Sequence, residues 1–464
     1  MPQILSLMHD GPKHDEDWHF NLPVGKHELT AVNQQQYLMS LRAVNHIFHQ
    51  LVTPLLFEHI IIFSGSRLNI NDALVFKQTG IERLDKLSVD PSLRQVVRRL
   101  EFGVMQFHYG YVNDEGESEE KHLQYLARIS TLIHSTLPRF PNLAVLKLDF
   151  GNILSRSDGC IKDEGRGGTP YWVQDTKDLY RSFSTAISRS GLDKLEELDL
   201  SLSLGHDYGY FLDDENEVES SSTRFLFKHL KRLRVDVAHN TEEESLSHQV
   251  NAKYVQELLP LASNLESLRV ESPGWLRLTA SALPHSHLRL LYLEFSRIAG
   301  EALISIIERC TSLQEVFLHE IIIESGTWEE VFTALRKTSI VALDIHNCGY
   351  EVGGYPIQYL HMYSQIHIAT TRIEDLKACV AVLTQVHENM QRIYGVAMTR
   401  SISVSSQRLS KQKIFERSWK GLRPVRRKMI IPTKVMRMFL TTTTPRQLVT
   451  IHLVLDRSFA GYLI

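Results

Sequence analysis

Histidine, cysteine and carboxylate side chains are where metal binding or catalysis would start, and in this chain they are scattered. His46 and His49, and His285 and His287, stand at ligand-like spacing. Neither pair has the carboxylate or thiol partners that would complete a metal site. Near the amino terminus, His9, Asp10, His14, Asp15, Glu16, Asp17 and His19 bring many potential ligands together, but nothing in their spacing fixes a geometry. A solvated segment is the simpler reading. Cys160, Cys310, Cys348 and Cys379 show neither zinc-ligand spacing nor a disulfide framework. Gly165, Gly167 and Gly168 are not followed by the Lys-Ser or Lys-Thr of a phosphate loop. His-Glu-x-x-His, Gly-x-Ser-x-Gly and dinucleotide-binding glycine patterns do not occur. The expectation is a binding protein with no cofactor and no metal, not an enzyme.

What organises the chain is a phrase of Leu, two residues, Leu, one residue, Leu. It appears at Leu143, Leu146 and Leu148, then at Leu195, Leu198 and Leu200. It returns at Leu230, Leu233 and Val235, at Leu265, Leu268 and Val270, and at Leu288, Leu291 and Leu293. Leu313, Val316 and Leu318 follow, then Ile340, Leu343 and Ile345; Val97, Leu100 and Phe102 are a weaker forerunner. From Leu195 onward the copies lie 23 to 35 residues apart, the range of leucine-rich repeats. Each copy predicts a short strand with its last two apolar residues on one side of the pleat. A helix should follow on the outer side, most clearly over Gly300 to Cys310, where Ala302, Leu303, Ile306, Ile307 and Cys310 share a face. Cys310 reads as a small buried hydrophobe. The fold class expected is α/β, a leucine-rich-repeat solenoid with a curved parallel sheet inside and helices outside, preceded by a short helical segment.

Bulk properties agree. A chain of 464 residues exceeds one compact core, a limit that a solenoid escapes. Net charge of −3 gives no global attraction to nucleic acid or membrane. The sequence lacks an amino-terminal basic-then-apolar signal and any apolar run long enough to span a bilayer, so a cytoplasmic or nuclear location is expected.

Ahead of the repeats, Leu38, Leu41, Val44, Phe48, Leu51, Val52 and Leu55 recur at helical spacing, with Pro54 expected to break or bend the helix. A buried strand through Ile60, Ile61 and Ile62 should come next. Leu41-Arg42-Ala43-Val44-Asn45, then Phe48, Leu51 and Pro54-Leu55-Leu56-Phe57, resemble the second half of the F-box of fungal F-box proteins. The stretch from Leu93 to Phe102 is similar to the segment behind the box in that family. Leu22-Pro23 stands where the box would open, but residues 24–36 carry only Leu29 and Val32 as spaced apolar residues, so the first helix is eroded or missing. The resemblance implies a substrate-recognition subunit of an SCF-type ubiquitin ligase. Its linker subunit would dock on Leu38, Leu41, Val44, Phe48, Leu51, Pro54, Leu55 and Phe57, and the repeats would hold a protein substrate. Two alternatives stand beside it: a repeat scaffold without ligase docking, whose first helix only caps the repeat core, and nucleic-acid association through the basic carboxy-terminal stretch.

The substrate surface is set by the pleat. The residue between the last two apolar positions of each strand points away from the core, towards the concave side: Lys147, Asp199, Arg234, Arg269, Tyr292, Phe317 and Asp344. Tyr292 and Phe317 fall on adjacent strands about 4.8 Å apart, and exposed aromatics beside arginine are typical of interface hot spots. The domain plan is a polar, partly disordered segment over 1–36 and the F-box-like segment over 37–65. An irregular repeat domain over 66–394 comes after it, with acidic or glycine-rich loops at Asp114–Glu120, Gly159–Gly168 and Asp207–Ser222. A helix is expected over Ile373 to Tyr394, and 395–464 reads as a basic, disordered tail in which the Leu448, Ile451 and Leu453 phrase is chance.

Overall fold

A computed structural model describes residues 38–68, 74–105, 115–151, 153–155, 161–162, 171–173, 177–212, 226–238, 240–241, 253–272, 275–352, 355–356, 368–370, 372–394, 402–410, 436–439 and 447–454. The described residues form an α/β protein in which helices flank parallel strands. They divide into two compact units, Met1–Asp149 with Arg181–Glu196, and Phe150–Tyr180 with Glu197–Ile464. The division falls within the stretch expected to be one repeat domain. The expectations for 1–36 and for Cys160 lie outside the described residues.

In the first unit, residues 38–42 are helical and a turn at 43–44 leads to helix α1 (His46–Phe57). The apolar spacing predicts one continuous helix here. Asn45 interrupts it, because its extended backbone and side-chain oxygen, accepting the Phe48 N–H at 3.0 Å, begin a new helix. Nor does Pro54 end α1, which runs on through it to Phe57. At the last turn the proline removes one N–H from a helix about to stop anyway, and the Glu58 N–H closes on the Pro54 carbonyl at 2.8 Å.

Strand β1 (His59–Leu68) pairs antiparallel with β2 (Leu74–Thr79). Gly80 then turns into helix α2 (Ile81–Val89) at φ +87°, where a Cβ would lie 2.5 Å from the Ile61 carbonyl oxygen. Only glycine fits such a start. Strand β3 (Arg99–Met105) lies parallel to β1, helix α3 (Glu115–Thr136) comes next, and β4 (Val145–Asp149) is parallel to β3. Glu115 to Glu120, expected in a solvated acidic loop, form the first turns of α3. The apolar phrases fill the core: Ile60, Ile62, Val97, Leu100, Phe102, Leu146 and Leu148 are fully buried. Tyr125 of α3 is buried among them, its hydroxyl 2.9 Å from the Ile62 carbonyl and 3.0 Å from that of Gly103. Burial raises its pKa well above the ordinary phenol value. Phe183, on helix α4 (Lys177–Arg189), meets Phe102 edge-on with centroids 5.3 Å apart.

The second unit carries the regular ladder. Strands β5 (Glu197–Leu202), β6 (Arg232–Val237), β7 (Ser267–Glu271), β8 (Leu290–Ile298), β9 (Glu315–Ile323) and β10 (Ala342–His346) pair in chain order, all parallel. Leu198, Leu233, Leu268, Leu291, Val316 and Leu343 share one register line, and Leu200, Val235, Val270, Leu293, Leu318 and Ile345 the next but one. All are buried. Helix α5 (Gly300–Arg309) joins β8 to β9, burying Leu303, Ile306 and Ile307, and Cys310 behind it is buried as expected. Helix α6 (Trp328–Arg336) joins β9 to β10 and buries Trp328, Val331, Phe332 and Leu335. It opens with a reciprocal cap: the Thr327 hydroxyl accepts the Glu330 N–H at 3.2 Å, and the Glu330 carboxylate accepts the Thr327 N–H at 2.9 Å.

Not every connection carries a helix. Between β7 and β8 the described residues form a short strand, Leu276–Leu278, and a 3-10 turn, Ala280–Ala282. The 23 residues from Leu265 to Leu288 leave little room for more. The expected acidic loop at Asp207 begins as a buried 3-10 helix, Gly205–Phe211. Asp207 accepts the Leu204 N–H at 3.0 Å, and the Tyr208 hydroxyl lies 2.7 Å from the Asp236 carbonyl. A short polar side chain that caps its own turn needs no solvent.

Strands β8 and β9 each bend at a non-glycine residue of positive φ, Phe295 (φ 49°) and Glu320 (φ 55°). Asn347 (φ 51°) takes the same conformation just past β10. The three positions are equivalent, each four residues beyond the second apolar residue of its phrase. Past the bend the ladder resumes: Ser296 pairs with Ile321 and Ile298 with Ile323, and Ile322 with Gly349.

Helix α7 (Ile373–Tyr394) covers the range expected for it. In the carboxy-terminal stretch, where a tail without regular structure is expected, Ile402–Ser410, Met436–Phe439 and Gln447–Val454 are strands, and the last pairs with Ile368–Thr370. The Leu448, Ile451 and Leu453 phrase falls in that strand, among the β-branched residues Val449 and Thr450 that suit a pleat.

Candidate functional site

Two surfaces are expected to carry function: the first lies in the first unit, and all the residues expected on the other except Lys147 lie in the second. The first is the helical segment at residues 38–57. Leu38, Leu41, Phe48, Leu55 and Phe57 are half-buried, whereas Val44, Leu51 and Pro54 are exposed. Arg42 packs across the Phe57 ring, 5.5 Å from its centroid, and reaches the His49 ring at 3.0 Å. Helix α1 is apolar on two sides. Val52 and Leu56 are buried, while on the outward side Ile47 is 62 % and Leu51 37 % exposed. Val44, in the turn before α1, and Met39, in the short helix before that, are also exposed, at 63 % and 60 %. A surface helix ordinarily has one apolar stripe, and a second, exposed one is a surface that a partner can cover. Met39 and Ile47 are additions to the residues expected from sequence. The signal for Ile47 is its spacing with Leu51 and Pro54, which repeats every three to four residues on the side of α1 opposite Val52.

The second surface is the sheet face opposite the leucines. Lys147 belongs to the first unit, where it bridges Glu101 at 2.9 Å and Asp149 at 3.5 Å. Burial pushes the Glu101 carboxyl up, but the hydrogen bond from His59 and the charge of Lys147 outweigh it and hold the pKa well below the carboxylate range.

Asp199, Arg234, Arg269, Tyr292, Phe317 and Asp344 are all in the second unit, and they occupy one continuous register line across β5 to β10. The pleat therefore brings together the six residues that the sequence placed there. It does not leave the aromatics exposed: Tyr292 and Phe317 are each 8 % accessible. Side chains this large on strands about 4.8 Å apart shield one another. The Arg269 guanidinium stacks on Tyr292, 4.2 Å from the ring centroid, and Phe317 lies beside it with centroids 6.0 Å apart.

A second line, two residues along each strand, is implied by the same period of two but is absent from the expected set. Asp236, Glu271, Glu294 and His319 stand there and tie the face together. Arg234 reaches Glu271 at 3.2 Å and Asp199 at 3.4 Å, and Arg269 is bonded to Glu271 as well. The Tyr292 hydroxyl donates to Glu294 at 2.6 Å and lies 3.1 Å from His319 Nδ1, whose Nε2 is 3.2 Å from Asp344. Burial, then the nearby Glu294, raise the Tyr292 pKa, so its hydroxyl stays protonated. Burial and the neighbouring Arg234 lower that of Arg269.

Among the described residues, no group of three or more His, Cys, Asp or Glu could hold a metal ion, and no helix is long and apolar enough to cross a membrane. His46 and His49 lie on exposed α1 positions, while His285 is buried and its ring nitrogens make no hydrogen bond of good geometry. The described cysteines are buried. Burial pushes the Cys310 thiol up to about 11 and that of Cys379 to about 12, and the Cys310 thiol donates to the His285 carbonyl at 3.2 Å. No protein-family model matches the chain, and no curated protein does.

Proposed function

We propose that this chain is a non-catalytic leucine-rich-repeat receptor that works as the substrate-recognition subunit of an SCF-type ubiquitin ligase. The observation that carries the reading is the second apolar side of α1, with Ile47 and Leu51 facing outward, and the exposed Val44 and Met39 that precede it. It lies within the stretch that resembles the second half of an F-box, and it is the side on which a linker subunit would dock. The parallel ladder at repeat spacing supports the other half of the reading, a sheet face that holds a protein substrate. Thiols and phenols kept protonated by burial support a role without catalysis.

Co-purification of the linker subunit with the full chain tests the docking. Burying Ile47 and Leu51 contributes about 1.5 kcal/mol each, so Ile47→Asp with Leu51→Asp should weaken association by about a hundredfold or more. Thermal melts should barely change for Ile47→Asp alone, since Ile47 faces solvent, and fall more once Leu51, only 37 % exposed, is replaced as well. A linker subunit that fails to associate with the unaltered chain refutes the ligase role and leaves the scaffold reading.

A further inference from the structure

We infer that the sheet face of the second unit binds a basic peptide segment, whose lysine or arginine side chains meet the carboxylates around Asp199, Glu271 and Glu294. This rests on the reading that the face holds a protein, and it names the class of that protein's contact segment.

The charge of the face points this way. Glu197, Asp199, Asp236, Glu271, Glu294, Glu315 and Asp344 stand on its register lines against Arg232, Arg234 and Arg269, seven carboxylates to three guanidiniums. The arginines are engaged within the face: Arg232 with Glu197 at 2.6 Å, Arg234 with Asp199 and Glu271, and Arg269 with Glu271 and the Tyr292 ring. Glu271 serves two of them.

Asp199 supplies the independent sign. It is only 7 % accessible, its Oδ2 has one distant donor in Arg234 at 3.4 Å, and its Oδ1 has no hydrogen-bond partner. A carboxylate oxygen taken out of water without a donor is unfavourable, and a rotation of the Asp199 carboxylate that turned it to an incoming ammonium or guanidinium N–H would relieve it. Phosphate-bearing ligands would meet net repulsion on the same face.

The test is fluorescence anisotropy of the full chain with a fluorescein-labelled Lys/Arg-rich peptide, beside a peptide in which Glu replaces each basic residue. Because the chain has its own basic stretch, the triple variant Arg426→Ser, Arg427→Ser, Lys428→Ser is measured in parallel, so that self-competition cannot hide the face. The expected result is binding of the basic peptide alone, weakened by added salt. Asp199→Asn and Glu294→Gln should each reduce affinity about tenfold while thermal melts stay in place. Equal binding of the two peptides, no binding of the basic peptide to either the unaltered chain or the triple variant, or unchanged affinity in both carboxylate variants would overturn the inference. Linker co-purification reports on α1 alone. Capture of the linker without basic-peptide binding refutes this inference only, and the converse refutes the ligase reading only.

Discussion

Asp375 should be among the costliest single residues to remove from the second unit. It is fully buried near the start of α7 and gathers donors from three separate segments. Its Oδ1 accepts the backbone N–H of Glu329 at 2.9 Å, one of the first-turn amides of α6 that have no partner within their own helix. Its Oδ2 accepts the Tyr350 hydroxyl and the Thr370 hydroxyl, each at 2.6 Å, and Arg372 Nε lies 3.6 Å from Oδ1. The Tyr350 oxygen in turn accepts the Trp328 N–H at 2.9 Å. In Asp375→Ala the amide of Glu329 cannot turn to another acceptor, and two hydroxyls lose a charged one. Each buried unsatisfied donor costs about 1–3 kcal/mol, and with partial relaxation of the hydroxyls the total should be about 3–5 kcal/mol. Asp375→Asn keeps the shape and one acceptor for Glu329, and the two hydroxyls can rotate to accept from the new amide. It should cost only about 1–2 kcal/mol. Urea unfolding gives the two values. Hydrogen exchange localises them: amides of Ile373–Tyr394 should lose about a hundredfold in protection in the alanine variant. Equal losses in the two variants, or a loss below about 0.5 kcal/mol in both, would refute the account of Asp375 as a cap shared between helices.

His285 is held neutral, its pKa lowered to about 4 by burial, an effect that the Leu259 and Ala262 carbonyls offset only in part. Above the unfolded value near 6.5 it contributes nothing; as pH falls the unfolded chain takes up a proton that the folded one refuses, so stability should drop by about 3 kcal/mol between pH 6.5 and 4, and His285→Leu should remove most of that slope in urea titrations at each pH. Gly80→Ala should lower stability by about 2–4 kcal/mol, since the new Cβ meets the Ile61 carbonyl oxygen at a left-handed φ; a melting temperature unchanged from the parent would contradict this. Asn347→Ile should cost about 1–2 kcal/mol and Asn347→Gly less than about 0.5, the order expected if the left-handed backbone at that site, not the side chain, is what the fold requires.

The leucine phrases identify the buried lines of the sheet because a period of two admits only one set of inward residues once the partners are parallel. Leu198, Leu233, Leu268 and Leu291 are buried for that reason. The same rule places Asp199 to Asp344 together on the opposite face. It does not say that Tyr292 and Phe317 are covered, since that depends on the bulk of Arg269 and His319 on neighbouring strands. Asn45 is a visible helix starter, but an apolar stripe running across it hides the interruption. Asp207 and Asp375 look like solvated acids in the sequence; only the tertiary arrangement of donors around them gives a reason to be buried. Ile47 escapes notice because a surface helix is expected to have a single stripe, and α1 has two.

Phe295, Glu320 and Asn347 leave one more consequence. A left-handed backbone costs an ordinary residue about 1 kcal/mol, and no side-chain pattern marks these three sites as a set. The conformation is held because the strands on both sides of each bend hydrogen-bond to those of the next turn of the chain. A bend therefore keeps its shape only while its neighbours keep theirs, which makes these turns interdependent. From Leu290 to Tyr350 the chain should open and close as one cooperative block, with amides either all protected or all exchanging, and loss of one turn should release the adjacent ones rather than leave them standing.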